Sequence, residues 1–345
     1  MLMLAALGAF AALASAAPYM NNRRSTGIEL QLSQESPTDI KASVSNTGAE
    51  AVRLFIDGTI LDTSGPVQRL DVFQDEQPVE FLGVIVDYLI SDLTENSFIT
   101  LQPGESAEKI VNLPSLYNLN GGEYTVSLTN TFEFAAVDST QLAGVYEFQS
   151  NTLSFNIDAE TIAAVPKALD KRVEVVSCAG TQRTALTNAI AATNRLATNA
   201  ASAAASGSAT KFQEYFRTTS ASTRSNVASR FRTFASEAAS TTSGQITYSC
   251  TDFAGICAQG NIIAYAQPST GQMANCPLFY RLPAVSGGCD EQSQASTVLH
   301  EFTHVLADTN DWAYGYSAST ALTAARAYTN ADNYALYADA IANGC

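Results

Sequence analysis

A chain of 345 residues is long for one ordinary domain and is expected to fold as about two. With 46% hydrophobic and 15% charged residues it can bury sizeable cores, which excludes a wholly disordered polymer. A net charge of −15 argues against a protein that binds nucleic acid by neutralising phosphates. The charge is uneven: residues 173–345 carry 11 acids and 9 bases, which leaves 22 acids and 9 bases for residues 1–172. All six cysteines (Cys178, Cys250, Cys257, Cys276, Cys289 and Cys345) fall in the second part too. Parts so unlike in charge and cysteine use are read as separate units.

In chain order, residues 1–16 come first, an Ala/Leu-rich apolar run ending in Ala14-Ser15-Ala16. This reads as a signal peptide, so the protein is expected to be secreted and extracellular. The run is too short to span a bilayer and no second one follows, so no membrane anchor is expected. Six cysteines behind such a leader read as three disulfides.

From Ile28 to Ile157, within residues 17–172, the pattern is mostly of period two, as in Ile28, Leu30 and Leu32, or Tyr124, Val126 and Leu128, or Leu153, Phe155 and Ile157. Gly, Pro and Asn punctuate the runs, so this unit is expected to be mostly β and sandwich-like. It has neither His nor Cys, and so brings no soft metal ligand and no thiol nucleophile. Lys171-Arg172 stands where charge and cysteine usage change together. The pair reads as a processing site for a convertase that cuts after paired basic residues, which makes residues 17–172 a propeptide.

From Val173 the period changes. Thr181 to Ala205 is Ala-rich, with Leu186, Ile190 and Leu196 at helical spacing, and Phe212 to Ala239 carries an aromatic helical face. Ile246 to Tyr248 and Ile262 to Tyr265 look like short strands, and helices are expected over about Glu291 to Ala307 and Ser317 to Asn343. Tyr280 is assigned to core packing.

The chain has two histidines, and they frame an HExxH: His300-Glu301-Phe302-Thr303-His304. Four apart on a helix, both imidazoles stand on one face and can reach one ion, with Glu301 beside them to deprotonate an attacking water. A catalytic zinc needs a third protein ligand. No His follows His304 and no Glu follows Glu301, so a downstream third ligand must come from Asp308, Asp311, Asp332 or Asp339. Were the helix to continue, Asp311 would lie about 10 Å along its axis from His304, out of reach. The run Ala307-Asp308-Thr309-Asn310 can end the helix, Asp308 as cap or turn residue, with Asn310 tolerating the left-handed turn that folds Asp311 back.

HEFTH followed by Asp308-Thr309-Asn310-Asp311-Trp312-Ala313-Tyr314-Gly315 resembles the deuterolysin family of secreted fungal zinc endopeptidases, with its HExxH and GTxDxxYG signature. The likeness extends to a leader, a long pro-segment with a dibasic end, and a mature unit with six cysteines closing on Cys345. Asp308 stands where the family has Gly. The resemblance implies that one Zn2+ is held by His300, His304 and Asp311, that Glu301 is the catalytic base, and that Tyr314 donates to the oxyanion. It also implies that Asp332 shapes the pocket for the residue after the scissile bond, favouring basic side chains, and that the disulfides pair Cys178–Cys250, Cys257–Cys276 and Cys289–Cys345. The expected class is α+β: a mainly helical zincin-type catalytic domain with short strands over residues 173–345, behind the β propeptide. Expected partners are protein or peptide substrates and the processing convertase, with the enzyme acting as a monomer. The competing reading is a secreted non-catalytic binding protein with a structural zinc.

Overall fold

The computed structural model describes residues 27–169, 178–240 and 243–345. The leader and the Lys171-Arg172 pair lie outside the described residues. Twelve strands fill the first part: β1 (Ile28–Gln34), β2 (Asp39–Asn46), β3 (Val52–Phe55), β4 (Asp71–Gln74), β5 (Gln77–Pro78), β6 (Ile85–Tyr88), β7 (Phe98–Leu101), β8 (Ser106–Asn112), β9 (Gly122–Ser127), β10 (Thr129–Ala135), β11 (Leu142–Gln149) and β12 (Leu153–Ile157). Eleven of them form sheets of order β1-β2-β8, β11-β10-β3-β7 and β12-β9-β4-β5. The alternation read from the sequence is the cause: Ile28, Leu30 and Leu32 point inward while Glu29 and Gln31 are exposed. The inward faces of these sheets share one apolar core that includes Leu30, Val44, Leu54, Val72, Val126 and Phe132. Two short helices, α1 (Leu113–Leu116) and α2 (Ala159–Ala163), complete this part.

The second part is mainly helical, so the chain as a whole is a mixed α and β protein. It holds α3 (Gly180–Ser206), α4 (Ala209–Phe216), α5 (Ala221–Glu237), α6 (Gln294–Ala307), α7 (Gly315–Ser319), α8 (Ala324–Tyr328) and α9 (Ala331–Asn343). α3 buries Leu186, Ile190, Thr193, Ala197, Ala200 and Ala204, a stripe at helical spacing. Its small side chains let α5, α6 and α9 pack closely against it. Phe212, Phe216, Phe231, Phe234, Tyr334 and Tyr337 interlock edge-on or stacked above them. Two expected helices are broken in the fold. The Phe212 to Ala239 stretch turns at Arg217, which takes a left-handed conformation, and restarts with Ser220 capping α5. Ser317 to Asn343 is three helices, α8 capped by the Thr323 side chain and α9 beginning after Asn330.

Three strands join the helices: β13 (Thr247–Ser249), β14 (Ile262–Gln267) and β15 (Gln272–Asn275). They pair in the order β13-β15-β14-β6, so strand β6 of the first part forms one edge of the second part's sheet. A third core fills the join, with Phe55, Val84, Val86 and Tyr88 from the first part against Ile262, Tyr265, Ala274 and Tyr314 from the second. Each fully buried Val, Ile or Phe side chain among them contributes on the order of 1.5–3 kcal/mol. The disulfides close as Cys178–Cys250, Cys257–Cys276 and Cys289–Cys345, with Cα separations of 5.1, 5.2 and 6.3 Å. Tyr280 packs against the helical core, its hydroxyl 3.2 Å from Cys250 Sγ. Among the described residues no helix is long and apolar enough to cross a membrane.

Candidate active site

Helix α6 carries HEFTH and is buried along almost its whole length. Ser293 starts it with a reciprocal cap: its hydroxyl accepts from the Ser296 N–H, while its own N–H donates to Ser296 Oγ. The helix stops at Asp308, which adopts φ 48°, ψ 48°. The left-handed residue is therefore Asp308 and not Asn310. Asp is one of the few non-glycine residues that visit this region, and it does so here at the position where the deuterolysin signature has Gly.

That reversal brings Asp311 back over α6. Its carboxylate oxygens lie 3.1 Å from His300 Nε2 and 3.4 Å from His304 Nε2, and the two imidazole centroids are 4.9 Å apart. The other ring nitrogens are engaged. His300 Nδ1 sits 2.9 Å from Asp332 Oδ1, and His304 Nδ1 donates to the Thr309 carbonyl at 3.0 Å. A proton held on each Nδ1 leaves the Nε2 lone pairs free and aimed at one point, the arrangement that metal-ligating histidines adopt. Both Nε2 atoms, both Asp311 oxygens and both Glu301 oxygens are buried without a hydrogen-bond partner. The two Nε2 atoms and the Asp311 carboxylate lie around one point, and such orphans are costly unless a cation satisfies them, so the residues fit a zinc ion. No fourth His, Cys, Asp or Glu joins the group of His300, His304 and Asp311 among the described residues.

The electrostatics agree. Burial lifts the Glu301 carboxyl well above its ordinary range, with Asp87 and Asp311 adding to the effect and His300 opposing it. For Asp311 burial pulls the same way, but His304 and His300 outweigh it and hold the group well below the usual range. Burial, then Asp311, pushes the Tyr314 phenol far up, so its hydroxyl stays a donor.

Asp332, at the start of α9, spans two contacts: one oxygen faces His300, and the other accepts from the Gly315 N–H at 2.6 Å. It also borders a cavity of 540 Å³ beside His300, together with Asp290, Gln292, Thr297 and Asp339. Burial raises the Asp339 carboxyl to about 7, with Asp290 and Asp332 contributing. Three residues that the sequence reading did not single out reach the site. The first part supplies Asp87, 1% exposed, and Glu133, whose carboxylate accepts from the Tyr314 N–H at 3.1 Å. Gln292 precedes α6. No local pattern marks any of them, because each acquires its role only through pairing across the two parts.

An HExxH helix with a folded-back aspartate defines the mononuclear zinc peptidases of the aspartate-ligand type. The profile of the deuterolysin metalloprotease (M35) family matches residues 1–345, and the chain belongs to that family. It is 44% identical over 338 residues to a neutral protease 2 homologue of Sclerotinia sclerotiorum, covering 95% of this chain and 93% of that one. It is 40% identical over 328 residues to penicillolysin of Penicillium citrinum, covering 93% of each. A zinc peptidase from Grifola frondosa is 24% identical and aligns with 47% of this chain and 97% of its own, at a TM-score of 0.40. The protein is a zinc-dependent metalloendopeptidase, which sets aside the reading as a non-catalytic binding protein.

Proposed function

We propose that His300, His304 and Asp311 hold the zinc and that the protein is made as a secreted zymogen: residues 1–16 a signal peptide, 17–172 a sandwich-like propeptide released after Lys171-Arg172 by a convertase, and 173–345 a monomeric catalytic domain. The convergence of two free Nε2 atoms and Asp311 on one point, with the buried Glu301 carboxylate left without a partner, carries the site assignment. Bound there, zinc supplies a Lewis acid that activates water and polarises the scissile carbonyl. Glu301 takes the proton from the attacking water and passes it to the leaving amine. Tyr314 donates its hydroxyl to the developing oxyanion. Asp332 holds His300 in the tautomer that exposes Nε2, and with Asp290 it makes the adjoining pocket acidic, so basic side chains after the cleaved bond, and basic proteins, are preferred. The test is Glu301→Gln. It is expected to keep zinc while casein hydrolysis falls by at least ~100-fold; a zinc-loaded variant with ordinary turnover refutes the role.

A further inference from the structure

Strand β6 crosses the catalytic face as a peptide substrate would. It adds antiparallel to β14, with Val86 opposite Tyr265, Asp87 opposite Ala264 and Tyr88 opposite Ile262. The ladder continues in a bond from the Leu89 N–H to the Asn261 carbonyl at 2.8 Å. Adding a strand to a sheet edge is a general way to hold an extended peptide through its backbone. Two side chains grip the same segment. Tyr314 donates its hydroxyl to the Val86 carbonyl at 2.7 Å. Gln292 donates Nε2 to the Tyr88 carbonyl at 2.8 Å and accepts the Ile90 N–H on Oε1 at 3.1 Å. The amide thus reads two backbone groups, which any sequence can supply, and its Nε2 also donates to Asp87 Oδ1 at 3.3 Å.

The register of these contacts is informative. The carbonyl that meets Tyr314, the oxyanion donor proposed above, is that of Val86, which would set the bond from Val86 to Asp87 at the scissile position. Asp87 is then the first residue after it. A carboxylate oxygen of Asp87 lies within 4.8 Å of a His300 ring nitrogen and of an Asp332 carboxylate oxygen, and the side chain borders the acidic cavity. A pocket edged by Asp290 and Asp332 suits a basic side chain, whereas Asp87 places a carboxyl there.

We propose that Ile85–Ile90 is a built-in substrate mimic: it occupies the substrate's track antiparallel to β14, with Gln292 and Tyr314 as its backbone clamps, and it escapes cleavage because position 87 carries an acid where the pocket favours a basic side chain. This rests on the zymogen reading above and specifies how the first part blocks the site. Steric cover alone would need neither the ladder, nor the carbonyl on Tyr314, nor the acid in the acid-lined pocket.

The full-length chain tests it through Asp87→Lys, which gives the pocket its preferred charge. The zinc-loaded variant is expected to cut itself between residues 86 and 87, read by intact mass and by N-terminal sequencing of the new fragment. The wild type and the Asp87→Lys/Glu301→Gln double variant stay whole at that bond. Should the lysine prevent folding, Asp87→Ala removes the charge without added bulk and is expected to give the same new terminus more slowly. Either variant, folded and zinc-loaded yet intact at this bond, overturns the proposal. The zymogen reading fails separately, if the unprocessed wild-type chain hydrolyses casein as fast as the chain cut after Arg172.

Discussion

Replacing Asp332 with Asn separates metal positioning from charge. The aspartate accepts on both oxygens, from His300 Nδ1 at 2.9 Å and from the Gly315 N–H at 2.6 Å. The asparagine has one acceptor and one donor. Turned with its oxygen to His300 it sets NH2 against the Gly315 N–H; turned the other way it sets NH2 against Nδ1–H. One of the two buried contacts is lost in either case. Loss of a partner behind a metal-bound imidazole costs about 10–100-fold in metal affinity, or about 1.4–2.7 kcal/mol at 1.36 kcal/mol per tenfold. The assay is zinc competition against a chromophoric chelator on the full-length protein, with circular dichroism to establish that the variant is folded. A folded Asp332→Asn protein with zinc affinity within twofold of wild type would refute the idea that Asp332 supports His300.

Gln292→Ala in the processed enzyme should raise KM for extended peptides several-fold with little change in kcat, because it removes two backbone contacts that substrate and transition state share; a fall confined to kcat would contradict the clamp. Asp308→Gly should stabilise the fold by about 0.5–1 kcal/mol, read as a rise in Tm, since glycine reaches φ > 0 without strain and the Arg69 contact it removes is exposed and 3.5 Å long. An unchanged or lower Tm would mean that this contact matters more than the backbone. Asp339, raised to about 7, is more readily protonated in the folded than in the unfolded chain. Its contribution to stability is therefore complete below the ordinary aspartate pKa and is lost as pH rises through 7. Asp339→Asn should flatten the fall in urea-unfolding stability between about pH 4 and 8, an effect on the order of a few kcal/mol. A pH profile identical to wild type would show that the side chain is not held neutral.

Local pattern carried much of this molecule. Alternation at Ile28, Leu30 and Leu32 placed a strand, and the Ala-rich spacing from Thr181 placed α3 nearly end to end. HExxH marked α6 because the helical repeat alone decides that residues four apart share a face. Elimination narrowed a downstream third ligand to four aspartates, the resemblance pointed to Asp311, and the helix break at Asp308 was within reach of residue chemistry. What lay beyond local pattern depended on contacts between distant residues. His300 and Asp332 are 32 positions apart, and Tyr314 and Val86 are 228 apart. The stretch Val84-Ile85-Val86 is apolar without alternation, so it can be a strand in any sheet. Only the third core, in which Val86 and Tyr88 pack against Ile262 and Tyr265, decides that it joins β14. The sequence by itself determined the chemistry, because ligand type and spacing are local properties. The tertiary structure decided what stands in the cleft, because strand pairing is selected by the burial of side chains brought from both parts of the chain.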